Sequence, residues 1–90
     1  IVLLPIEPYI PTAFVAETAR LRPGKILHFG SASPRDGAAA VRAFEDQVAA
    51  YPVRGLKLHN RRQGFGMESV ETVVALARVA QAHGLPILFD

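Results

Sequence analysis

Gly55-Leu56-Lys57-Leu58-His59-Asn60, with Gln63-Gly64-Phe65 just after it and Leu85-Pro86-Ile87-Leu88-Phe89-Asp90 at the end of the chain, decides the reading of the fold. Both apolar runs have strand length, and each closes on polar side chains, His59 and Asn60 in one and Asp90 in the other. Between them lies an amphipathic stretch, residues 68–83. Gly84 then supplies a left-handed cap, and Pro86 prevents the helix from continuing. Strand, loop, helix, strand is the unit from which parallel sheets are built, and chemistry in such folds gathers at the C-terminal strand ends. Asp90 is the last residue and Ile1 opens within an apolar run. The chain is therefore expected to be a piece of a longer protein, cut at both ends.

Two further β-type runs lie upstream, at residues 1–6 and 25–30, joining those at 54–59 and 86–90. Their starts are roughly thirty residues apart, the length of a βα unit. Three helices are predicted between them. The first covers residues 11–22, with Pro11 at an early helical position and Phe14, Val15 and Ala19 as its buried stripe. The second covers 36–51, where Val41, Phe44, Val48 and Tyr51 recur at helical spacing. The third covers 68–83, with Val70, Val73, Val74 and Ala77 facing the core. The pattern β-α-β-α-β-α-β implies an α/β protein with a parallel sheet and right-handed crossovers. A complete TIM barrel takes about 250 residues, so these seven elements would make a little under half of one. A free-standing, four-stranded, doubly wound sheet is the rival architecture.

Composition narrows the function classes. Half of the 90 residues are apolar and 20% are charged, a globular composition. Net charge is only +2, and Arg61-Arg62 is the sole adjacent basic pair, so no nucleic-acid partner is expected. Cysteine is absent, which excludes thiol nucleophiles, Cys-based zinc sites and disulfides. No apolar run is long enough to span a membrane, and no membrane partner is expected. The protein is expected to be cytoplasmic and to act on a small molecule. If it is a partial barrel, two open strand edges make it marginally stable or self-associating, a homo-oligomer through those edges.

Alternation along a strand puts Leu56 and Leu58 on one face and Lys57 and His59 on the other. The leucines should meet the helices, which leaves Lys57 and His59 facing inward with His59 nearest the C-terminal mouth. In the last strand Ile87 and Phe89 share a face, leaving Leu88 and Asp90 inward. Two strands thus deliver basic groups and a carboxylate to one mouth. Structural readings stand beside this one. Lys57 would then pair with a carboxylate such as Glu7 or Asp90 in a polar layer, His59 would be a hydrogen-bonded strand-end residue, and Asp90 would cap the segment that follows it. His28 fits a core or supporting role, and His83 sits where a cation suits a helix C-terminus. Gly64-Phe65-Gly66 lacks the lysine and remaining glycine of a phosphate loop. It reads instead as a flexible closure, with Phe65 as a hydrophobic wall. Ser31, Ser33, Pro34 and Asp36 read as turn and cap residues, and no Gly-x-Ser-x-Gly elbow is present.

Gly-Leu-Lys-Leu-His followed by Gln-Gly-Phe, a helix and Gly-Leu-Pro-Ile-Leu-Phe resembles the amidohydrolase-related family of metal-dependent β/α barrels, as does Phe-Gly-Ser-Ala-Ser-Pro at 29–34. That family includes hydrolases and non-oxidative decarboxylases. The resemblance covers most of the chain and is most specific over 54–90. It implies barrel strands two to five. It also implies a divalent metal in the parent, zinc before others, and a carboxylate-bearing substrate oriented by Lys57 and His59 as catalytic residues. Asn60 and Phe65 would bind substrate, and Asp90 would be the metal ligand. Family members usually carry a metal-binding His where Asp90 stands and often a Pro where Asn60 stands. The family's first-strand histidine pair and late catalytic aspartate lie outside these residues, so the chain alone is expected to be inactive.

Overall fold

Leucine, isoleucine, valine and phenylalanine dominate the segments that form strands, as strands covered by helices require. The structure, a computed structural model, describes residues 1–90. It is mixed α/β, with strands β1 (Val2–Leu3), β2 (Leu27–His28), β3 (Leu56–Leu58) and β4 (Ile87–Phe89). Its helices are α1 (Thr12–Ala19), α2 (Ala38–Ala50), α3 (Asn60–Gln63) and α4 (Val70–Ala82). Single 3-10 turns at Pro34–Asp36 and Met67–Ser69 lead into α2 and α4.

The strands form two small parallel sheets, β1 with β2 and β3 with β4. They are joined through an isolated parallel bridge between Gly30 and Leu56. Three backbone hydrogen bonds make this seam: Arg54 N–H to His28 O at 2.9 Å, Gly30 N–H to Gly55 O at 2.8 Å and Lys57 N–H to Gly30 O at 2.8 Å. The strands therefore lie side by side in chain order. Gly30 lets α2 pack close against the seam, because a Cβ there would sit 2.6 Å from Gln47 Oε1 and 3.0 Å from the Phe44 ring. Gln47 uses that close approach to clamp Ser31, accepting from its N–H at 3.0 Å and donating to its carbonyl at 2.6 Å.

The strands are shorter than residues 1–6, 25–30, 54–59 and 86–90. Ile6 leaves β1 altogether and bridges antiparallel to Ile10 in a turn. The segment after β3 is not open loop either: a helical turn, α3, closes on Gly64 in the left-handed conformation at φ 67°.

One core cluster lies between the sheet and α2 and α4. It contains Ala32, Ala40, Phe44, Val53, Leu56, Leu58, Leu76 and Ala80, with Val41, Val48, Tyr51, Val73, Val79, Leu85 and Phe65 packed against it. Leu56 and Leu58 face the helices, as alternation requires. Two predicted stripes need correction. In α1 the buried residues are Thr12, Val15, Ala16 and Ala19, while Phe14 is exposed. In α4 they are Leu76 and Ala80, while Val70 and Val74 are exposed. Small side chains let α1 lie close to the sheet, and Phe14 would hold it off.

The end of α4 is fixed locally. Leu85 N–H donates to Ala80 O and Gly84 N–H to Gln81 O, with Gly84 at φ 65°. This is the paired-bond cap that glycine permits. His83 is the cap residue, exposed at the helix C-terminus. At the sheet margins Val2, Ile87, Leu88 and Phe89 are each about half exposed. No helix is long and apolar enough to cross a membrane.

Candidate functional site

Register brings the site together. Leu56 pairs with Ile87, Lys57 with Leu88 and Leu58 with Phe89, and paired residues on parallel strands share a face. Lys57 and Leu88 therefore occupy the face away from the helices. At the C-terminal ends, Asp90 N–H donates to Leu58 O at 3.1 Å and Asn60 N–H to Asp90 O at 3.4 Å, so both strand ends are held level.

His59 Nε2 lies 3.2 Å from Asp90 Oδ2, and Lys57 Nζ lies 4.0 Å from the same oxygen. Arg62 N–H donates to His59 Nδ1 at 3.3 Å. A neutral imidazole has one donor and one acceptor nitrogen. Nδ1 accepts here, so the proton resides on Nε2 and is directed at Asp90. The Lys57 side chain is 7% exposed, and its ammonium makes no hydrogen bond within the chain. The Asp90 side chain is 66% exposed. The mouth thus offers an ammonium on a largely buried stem, an imidazole N–H and one carboxylate within a few ångströms of one another.

Glu7, the other carboxylate considered for Lys57, is engaged elsewhere. Its Oε2 accepts from Thr12 N–H at 2.7 Å and so caps α1. Asn60 is exposed and opens α3 directly beside the site. Phe65 is not brought to the mouth. Its ring packs edge-on against Phe89 at 5.9 Å, and Phe89 shares the helix-facing side with Leu58.

No sequence pattern assigned Gln63 a role, yet it is the most connected polar side chain near the mouth. It is 2% exposed. Its Oε1 accepts from His59 N–H at 2.9 Å. Its Nε2 lies within donating distance of Glu7 O at 2.8 Å, Ala32 O at 2.9 Å and Ser31 Oγ at 3.1 Å. The only sequence signal was its place four residues after His59, one helical turn on. Ser31, read as a turn residue, is also fully buried, and its hydroxyl accepts from Glu7 N–H at 3.2 Å.

His28 is buried against Tyr51, edge-on at 6.2 Å, with Nδ1 3.0 Å from Phe29 O. Its Nε2 has no partner. The largest cleft, about 420 Å³, is lined by Arg20, Pro23, His28 and Arg54 among others. It lies at the N-terminal strand ends, opposite Lys57, His59 and Asp90, and in parallel β/α folds that end serves stability.

No group of three or more His, Cys, Asp or Glu side chains converges to hold a metal. At the mouth the one carboxylate is that of Asp90, exposed and with His59 Nε2 at 3.2 Å from its Oδ2, as a supporting group steadies a ligand. A catalytic zinc site takes three protein ligands. These residues fit part of a metal shell and do not complete one.

Compared with protein-family models, with curated proteins and with solved structures, the chain matches none.

Proposed function

We propose that the chain is a section of a metal-dependent β/α-barrel hydrolase or lyase of the amidohydrolase type, acting on a small carboxylate-bearing substrate. The observation that carries this reading is the convergence of Lys57, His59 and Asp90 at the C-terminal ends of adjacent parallel strands. Lys57 binds the substrate carboxylate, since its stem is buried and its ammonium has no hydrogen bond of its own. His59 donates from Nε2, either to that carboxylate or to Asp90. Asp90 serves as one ligand of a divalent metal, zinc before others. When bound, such a metal polarises the substrate and lowers the pKa of a coordinated water. The remaining ligands would come from outside these residues, so the chain alone turns nothing over.

Several features support a barrel over a doubly wound sheet. Strands lie in chain order, whereas doubly wound sheets reverse theirs at a switch point. Helices α2 and α4 pack together on one face, and the opposite face carries Lys57. Apolar residues Val2, Ile87, Leu88 and Phe89 at the margins are half exposed, as they would be where neighbouring strands are missing. The same edges would drive self-association of the isolated chain, which light scattering would read.

The test is an NMR titration of the isotope-labelled protein with benzoate, with and without Zn2+. Shifts are expected at Lys57 and His59 with benzoate, and at Asp90 with zinc. Absence of benzoate shifts at millimolar concentration would refute the site. The unbonded Lys57 ammonium also favours a second reading, an anion-binding module without catalysis. Benzoate binding with no zinc response at Asp90 would favour that reading.

A further inference from the structure

We propose that Gln63 is the positioning residue of this mouth, a single buried carboxamide that fixes the direction of His59 and ties the ends of three strands to it. The inference rests on the reading of Lys57, His59 and Asp90 as the site. It extends that reading to a residue that touches none of the three side chains.

His59 has no ladder partner for its N–H. It is the residue after β3, and its backbone is extended at φ −137°, ψ 97°. No backbone carbonyl meets its N–H, which would be unsatisfied without a local acceptor. Gln63 Oε1 supplies that acceptor at 2.9 Å. Arg62 N–H meets the imidazole at Nδ1 in the same turn. The N–H of His59 is thus held by one side chain of α3, its carbonyl by the Gln63 N–H at 2.9 Å, and its ring by the Arg62 N–H. The orientation of Nε2 toward Asp90 therefore depends on where α3 sits.

Gln63 Nε2 anchors α3. The amide reaches Glu7 O in the segment after β1, and Ser31 Oγ and Ala32 O in the segment after β2. Two amide protons serve three acceptors, so one of the bonds is shared. Burial at 2% keeps water from substituting for any of them. A polar residue placed only for packing would have no need to bridge three separate chain segments. Here the same amide that orders the loops after β1 and β2 also orients the imidazole donor, so ordering those loops and aiming His59 are one event. Of the two side chains bonded to or paired with His59, Gln63 and Asp90, Gln63 is the buried one and the one bonded to the segments after β1 and β2.

The experiment compares Gln63→Met, which keeps the length and removes every side-chain hydrogen bond while leaving the backbone bond from Gln63 N–H to His59 O, with Gly84→Ala. Gly84→Ala destabilises the protein through its left-handed cap, far from the site. The readout is the His59 imidazole nitrogen resonance, recorded with and without Asp90→Asn, with His28 and His83 as internal controls. In the native background Asp90→Asn is expected to move His59 Nε2 far more than it moves either control histidine. In Gly84→Ala the same response is expected. In Gln63→Met it should shrink to that of the control histidines, and benzoate affinity should fall by about tenfold, as the loss of one aligned donor brings. A full Asp90→Asn response in folded Gln63→Met protein would overturn the proposal, because a purely structural role changes stability and leaves that response intact. If Gln63→Met does not fold, amide exchange of the native protein decides. Protection of the His59 N–H matching that of Leu58 supports the proposal, and exchange as fast as that of Arg61 overturns it. Failure of native protein to bind benzoate would remove the site reading, while the imidazole response would still decide what Gln63 does.

Discussion

Replacing Lys57 with methionine separates a lysine kept for stability from one kept for binding. Its side chain is 7% exposed, on the face of β3 opposite Leu56 and Leu58, both fully buried. The only countercharge is one Asp90 oxygen 4.0 Å away, on a side chain 66% exposed. At that separation the attraction is about 1 kcal/mol in water and about 4 kcal/mol at the effective dielectric of a protein surface. The exposure of Asp90 draws the value toward the lower figure. Desolvating an ammonium costs up to several kcal/mol, and Lys57 bears part of that cost because its stem is buried while Nζ still reaches water. The pair therefore falls short of offsetting the burial of Lys57, and methionine fills the same length without that cost. Lys57→Met is expected to stabilise the protein by about 1–2 kcal/mol, raising Tm by about 4–8 °C per kcal/mol in a domain of this size. Benzoate binding should be abolished at the same time. The assay is a urea melt and a thermal melt beside an NMR titration. A Lys57→Met protein destabilised by more than about 1 kcal/mol would refute the reasoning, because Lys57 would then be holding the fold together.

Two other outcomes follow from packing and capping. Gly30→Ala brings a Cβ to 2.6 Å from Gln47 Oε1 and 3.0 Å from Phe44. A urea melt should register a loss of about 1–3 kcal/mol, with the Ser31 amide exchanging faster as Gln47 is displaced. Glu7→Ala removes the oxygen that caps Thr12 N–H and should cost about 1 kcal/mol, read by thermal melt. Glu7→Gln keeps an acceptor and should cost less than Glu7→Ala.

The elements legible in sequence were those with local determinants. Gly84 and Pro86 fixed the end of α4, and alternation in β3 separated Leu56 and Leu58 from Lys57. The convergence of Lys57, His59 and Asp90 followed from counting strand phase on two strands. Phe14 misled because size was weighted over spacing: Thr12, Val15, Ala16 and Ala19 already formed an i, i+3, i+4, i+7 stripe of small residues. In α4 the valines drew attention from Leu76 and Ala80, although several faces of that helix are apolar and only the position of α2 selects one. Strand lengths came out short because a ladder needs a partner, and Ile6 has its partner within a turn. Gln63 was illegible as a buried hub. Its three acceptors belong to residues 31 to 56 positions away, and no local pattern marks such a residue.

The core cluster contains no residue of β1 or α1. The first twenty residues are held by the pairing of β1 with β2, the small face of α1, the N-terminal amine on Lys25 O, and the bonds of Glu7 to Ser31 Oγ and Gln63. Proteins open in cooperative units, and units with few buried apolar contacts open first. The N-terminal unit can therefore detach while Phe44, Leu56, Leu58 and Leu76 stay packed, with the strand-end side chains of β3 still in place. A protease cutting at the exposed Arg20-Leu21-Arg22 segment would meet that open form long before the rest unfolds. The surviving piece would keep Lys57, His59 and Asp90 but lose one of the anchors that aim them.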